Sequence, residues 1–191
     1  MKLPFSLRHA VRWSLRPTLV ACLLGAQLGA QGIVHESDVE AAYLFNFGKF
    51  MRVPSHPGPN FKICILGTNP FGSTLDQLTA QESIDGRPMH ITRMSSPEDV
   101  RSCDILFLGE SDPSRIARDL EPLGDAPVLT VSTTSGFLDR GGMIQFVVQQ
   151  NRVRFQVNLD AVAHAHIQLS SELLKVALTV TGTHATGKDS Q

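Results

Sequence analysis

Apolar positions along this chain fall into runs whose period changes from one stretch to the next. Between Ser37 and Arg52 they recur at steps of three and four. Val39, Ala42, Tyr43, Phe47 and Phe50 make one helical face; Ala41, Leu44, Phe45 and Met51 make a second. The spacing predicts a helix, and Ser37 with Glu40 three residues on reads as its capping box. A helix apolar on two faces is buried on both or turns one to another chain. Leu44, Phe45 and Met51 are therefore candidates for a partner or dimer surface. Pro54, Pro57, Gly58 and Pro59 stop the helix.

From there, short apolar runs alternate with helical ones. Phe61–Gly67, "FKICILG", reads as a buried strand, followed by a turn at Asn69–Pro70 and a helix to about Ala80. Gly86–Arg87–Pro88 turns into a second strand, Met89–Met94. "SSPEDVRS" is a short helix or turn, and Cys103–Gly109 a third strand. A helix with Ile116, Leu120 and Leu123 on one face precedes a fourth strand, Ala126–Ser132. Strands interleaved with helices imply a parallel sheet covered on both faces. The period then drops to two. Ile144, Phe146 and Val148, then Val153, Phe155 and Val157, flank Gln150–Asn151, which reads as an antiparallel hairpin closing the sheet edge. "LDAVAHAH" is a short helix with Asn158 as its cap, and Ser170–Val180 a last helix capped by Ser170 or Ser171. The expected fold is α/β: a single three-layer domain with a Rossmann/flavodoxin-like, mostly parallel sheet extended by an antiparallel C-terminal hairpin.

The first thirty residues follow a different pattern. A basic stretch free of acids leads into "PTLVACLLGAQLGA", apolar, uncharged and ending in small residues. That is the pattern of a secretory signal peptide over residues 1–30, cleaved near Ala30. "LVAC" also resembles a lipobox ending at Cys22, although only Pro17 to Ala21 separate Arg16 from that cysteine. The folded domain is expected over residues 37–182 and a disordered tail over 183–191. Loss of Lys2, Arg8, Arg12 and Arg16 with the signal moves the net charge from −1 to −5. No basic excess remains to neutralise phosphates, which argues against nucleic-acid partners.

Export also changes the reading of the cysteines. Cys64 and Cys103 remain as a pair in an oxidising compartment and are a candidate disulfide, with two buried thiols as the alternative. A bridge requires α-carbons within about 7 Å. It would make the first and third strands neighbours and give the order 2-1-3-4.

Motifs for catalysis are not evident. Gly136, Gly141 and Gly142 do not match a dinucleotide fingerprint and precede a strand, so they read as a turn. The loop "GTNPFG" lies where open α/β sheets bind ligands. Asn69 and Phe71 at that loop, with Arg154, His164 and His166, are candidate pocket residues. His164 and His166 diverge by about 200° on a helix, so they do not form a chelating pair. No metal, cofactor or catalytic set is expected, and the chain reads as a non-enzyme.

Taken in order, "AAYLFNFGKFMRVP", "FKICILGTNPFG", "GRPMHI", "CDILFLGES", "PVLTVSTTSGFLDRGGMIQFV" and "NRVRFQVNLDAVAHAHIQLSSELLKVA" resemble the YfiR family of exported bacterial proteins. The resemblance spans Val39 to about Ala177 and is most specific from Gly136 through Asn158. It implies a periplasmic α/β domain, often dimeric, that represses a membrane-anchored diguanylate cyclase by binding the cyclase's periplasmic portion. It further implies an outer-membrane lipoprotein that sequesters the repressor. Cys64 and Cys103 match one family disulfide, and a second, later pair found in some relatives is missing. The expected function is thus a periplasmic regulator acting in cyclic-di-GMP control. A small-ligand sensor working with a histidine kinase or outer-membrane receptor is the alternative.

Overall fold

The first apolar run becomes helix α1 (Glu36–Phe50), which buries Ala41, Leu44, Phe47 and Gly48 against the sheet and α2. The computed structural model describes residues 35–53, 58–109 and 112–182; the expected signal peptide, Cys22 and the tail lie outside them. The elements that follow α1 are β1 (Met51–Arg52), β2 (Phe61–Gly67), α2 (Thr74–Thr79), β3 (Ser83–Ile84), β4 (Arg87–Met94) and β5 (Ile105–Gly109). Next come α3 (Pro113–Leu120), β6 (Leu129–Ser132), β7 (Ile144–Gln149) and β8 (Arg152–Asn158). The chain continues through α4 (Leu159–His164), β9 (Gln168–Leu169), α5 (Ser171–Val176) and β10 (Thr179–Thr181).

Eight strands form one sheet in the order β10-β8-β7-β6-β5-β2-β4-β3. Its centre, β4-β2-β5-β6, is parallel and has the expected 2-1-3-4 order. β7 adds parallel to β6, and β8 returns antiparallel with Phe146 opposite Phe155. Gln150 and Asn151 both take positive φ in the hairpin turn, as a two-residue connection with the right twist demands. A separate two-stranded pairing joins β1 to β9.

Register divides the side chains into two faces. Ile63, Ile65, Ile105, Phe107, Leu129 and Val131 point to the first, where α1 and α2 cover them. Tyr43 and Phe47 of α1 meet Phe146 and Phe155 of the hairpin with ring centroids 5.1–6.1 Å apart. Cys64, Leu66, Leu106 and Leu108 point to the second face, where Ile116 of α3 and Leu123 close a smaller core. The Cys64–Cys103 disulfide lies in this second core and brings two α-carbons to 5.9 Å.

Three local expectations need correction. α1 starts at Glu36 with His35 at its N-cap and no side-chain cap, so Ser37 lies inside the helix and no capping box forms. Glu40 turns toward the protein instead. The last helix ends at Val176, because Ala177 goes extended and Leu178 N–H donates to Phe155 O at 2.8 Å. Thr179–Thr181 then lies parallel to β8 as an eighth strand. The second strand begins earlier than expected, at Arg87, where Asp85 and Gly86 turn β3 into it at positive φ.

Candidate functional site

In a doubly wound sheet each crossover ordinarily lays a helix on one face. The crossover from β4 to β5 is short and contains a single 3-10 turn, Val100–Ser102. The second face of β4, carrying His90, Thr92 and Met94, therefore lacks the helix that α3 gives to β5 and β6. An open trough remains along that face. Its upper part is a cavity of about 630 Å³ at the C-terminal ends of β2, β4 and β5, bounded by Arg115 and Asp119 of α3. Its lower part, about 560 Å³, runs down to Lys62 and Cys64. The two share Arg93, Met94 and Ser95. Strand ends where the order reverses are the usual ligand position in such sheets. Thr68 N–H donates to Gly109 O at 3.0 Å and ties the rim. A Cβ at Gly109 would sit 1.8 Å from Thr68 O, so only glycine lets the two strand ends approach this closely.

Charges in the trough are partly held. Arg93 clamps Asp76 of α2 and holds its carboxyl below the usual carboxylate range, chiefly through their hydrogen bond. Asp119 is buried and accepts from Arg118 at 3.3 Å. Lys62 stands on a central parallel strand, where apolar residues are the rule. Among the described residues its ammonium has no hydrogen bond or ion pair.

A second unusual group lies on α1. Glu40 is 8% exposed, and its carboxyl makes no hydrogen bond among the described residues. Burial, and then the charge of Glu36 one turn earlier, push its pKa up to about 7 from 4.5. The folded state thus holds a proton that the unfolded chain releases near 4.5. Glu40 contributes most to stability below that value, and the contribution is lost as pH rises through about 7. Glu40→Gln is expected to leave the unfolding midpoint unchanged at pH 4. At pH 8 it should raise stability by roughly 1–2 kcal/mol, after allowing for solvent screening. Thermal unfolding at both pH values checks this.

The residues singled out from sequence do not converge. Leu44 and Met51 are 0% and 2% exposed and hold α1 to the sheet, so neither offers a partner surface. Phe45 is half-buried, with Lys49 Nζ 4.0 Å above its ring. Asn69 Oδ1 accepts from Phe71 N–H at 3.1 Å to shape the loop, and Phe71 is buried edge-on to Phe107. Arg154 reaches Val176 O at 3.5 Å and leaves a buried Nε unpartnered among the described residues. His164 lines a separate cavity of about 190 Å³ with Leu120 and Met143. His166 is exposed at a positive φ. The cavity that His164 lines contains none of the other four proposed pocket residues. Lys62, Arg93, Arg115 and Asp119 were not singled out, although a lysine inside "FKICILG" is the kind of interruption that marks a lined surface. The glycine cluster does turn the chain into β7: a Cβ at Gly142 would meet the buried Phe137 ring at 2.2 Å. Phe137 N–H donates to Gln145 Oε1 at 2.9 Å. Among the described residues no group of three or more His, Cys, Asp or Glu could hold a metal ion.

Comparison with known proteins adds three findings. Residues 37–178 match the family model described as DUF4154: YfiR/HmsC-like. The ABC domain in complex with L-Trp from Streptococcus pneumonia is similar in fold, with TM-score 0.50 and 10% identity over 77% of this chain. A conserved domain protein from Vibrio cholerae O1 biovar El Tor aligns over 63% of this chain with TM-score 0.43 and 13% identity. The chain spans 62% and 54% of the lengths of those two solved chains.

Proposed function

This chain belongs to the YfiR/HmsC-like family, and from that premise we propose that it is a periplasmic, non-enzymatic regulator. It binds the periplasmic part of an inner-membrane signalling protein, a diguanylate cyclase, and holds it in its inactive arrangement. An outer-membrane lipoprotein that takes the regulator away relieves the repression, and the regulator works as a homodimer. The family match across nearly the whole domain carries this reading. The basic-then-apolar leader in the sequence and the disulfide support an oxidising compartment outside the cytoplasm.

A binding protein can repress a sensor only by preferring its inactive state. Swinging such an equilibrium from 1:99 to 99:1 takes about 10⁴-fold tighter binding to that state. Of the three side chains first assigned to a partner surface, Phe45 alone keeps accessible area, and it is the contact we retain on α1.

Deleting the gene is expected to raise cellular cyclic-di-GMP several-fold, and supplying the intact gene in trans to restore it. Crosslinking in the intact periplasm should capture a membrane protein with a GGDEF domain. An unchanged cyclic-di-GMP level, with the crosslinked protein a histidine kinase or transporter, would overturn the cyclase reading.

A further inference from the structure

The trough on the uncovered face has a composition that limits what fits it. Its two parts adjoin, with Arg93, Met94 and Ser95 lining both. Lys62 lines its foot and Arg115 its rim. Lys62 and Leu66 at the upper end are four steps apart on β2, so the trough runs for roughly 13 Å along that strand. Hydroxyls of Thr68, Thr92 and Ser95 lie along its length. No aromatic ring lines either part among the described residues. A flat aromatic ligand would therefore find nothing to stack on, whereas a ligand rich in hydroxyl groups finds donors and acceptors throughout.

Charge narrows the choice further. Asp119 at the rim and Asp99 at the foot are both acidic. A dianionic phosphate entering the trough would meet these carboxylates as well as the cations. A single carboxylate with hydroxyl donors can place its charge on a cation and its hydroxyls on the acids. Lys62 is the clearest attractor: it is half-buried, at the floor of the lower part, without an acid partner among the described residues.

We propose that this trough binds a small polyhydroxylated carboxylate, of the sugar-acid class, with Lys62 and Arg115 as its cationic contacts. The site shares no residue with the partner contact on α1, so it stands or falls apart from cyclase repression. Its wall is also tethered by the disulfide. Cys103 follows Ser102, which lines the lower part, and is bonded to Cys64 on the floor.

The test is titration calorimetry of purified, oxidised protein with D-glucuronate and D-gluconate, and with inorganic phosphate and benzoate as controls. Saturable binding of a sugar acid is expected, weakened at least tenfold by Lys62→Met and by Arg115→Met. Unfolding midpoints of both variants serve as the check that the fold is kept. Two different outcomes would overturn the assignment. One is no saturation by either sugar acid at millimolar concentration. The other is binding that phosphate or benzoate matches, or that survives both substitutions. Cyclic-di-GMP levels in the gene deletion are read separately, so a failed titration leaves the regulator reading intact and a failed deletion leaves the trough intact.

Discussion

Replacing Cys64 and Cys103 together by alanine is expected to lower the unfolding free energy by about 2–5 kcal/mol. For a domain of this size that is a fall of roughly 5–15 °C in midpoint. The bond closes a loop with a sequence separation of 39, for which loop-closure entropy alone amounts to about 4 kcal/mol in the chain-entropy model. Packing adds to this. The two cysteines are 1–2% exposed and share the second core with Leu106, Ile116 and Leu123, so alanine also leaves unfilled volume. Urea unfolding of the wild-type protein with and without reductant separates the two contributions. Reduction removes the cross-link and keeps the sulfur volume; the double alanine variant removes both. If the oxidised and reduced midpoints coincide, the bond does not stabilise the domain.

Asp104→Ala should cost about as much, roughly 3–5 kcal/mol, for an electrostatic reason. Asp104 is 4% exposed and receives Arg87 on both oxygens, at 2.7 and 2.9 Å. Its Oδ2 also accepts Lys62 N–H at 2.8 Å. Arg87 in turn donates to Gly58 O at 3.0 Å and to Asn60 O. One carboxylate therefore joins the starts of β2, β4 and β5 to the loop that leads into the sheet. Removing it strands a guanidinium that is only 11% exposed. Truncating the arginine in the same chain, as Arg87→Leu with Asp104→Ala, is expected to recover much of the loss, because no uncompensated charge is then left in place. Chemical unfolding of the two single variants and the double variant gives the coupling directly. Additive losses would mean that the pair does not act as a unit.

Much of the architecture was legible in the periods of the apolar residues. Runs such as "FKICILG" and "ILFLG" are apolar on both sides, which only strands covered on two faces need. Alternation around Gln150–Asn151 located the hairpin to the residue. Adjacency of Cys64 and Cys103, inferred from export and a distance limit, gave the order of the central strands. What was missed has physical causes. Thr179–Thr181 carries β-branched residues at a strand-like period, but three residues are too few to stand out after a helical run. Ser37 and Glu40 have the spacing of a capping box, yet burial of Glu40 decides its position, and burial is a tertiary property. The trough arises from a helix that the crossover after Met94 is too short to supply. No residue in that crossover announces it, and only the three-dimensional neighbours of Lys62 and Arg115 bring them to one surface.

Strand β10 has a consequence for how the protein matures. It lies along β8 from Gln156 to Asn158, anchored by Leu178 on Phe155, so the outer margin of the sheet stays unsealed until residue 181 has arrived. Loss of these last residues would bare the backbone edge of β8, the kind of unpaired strand margin that invites pairing with another chain.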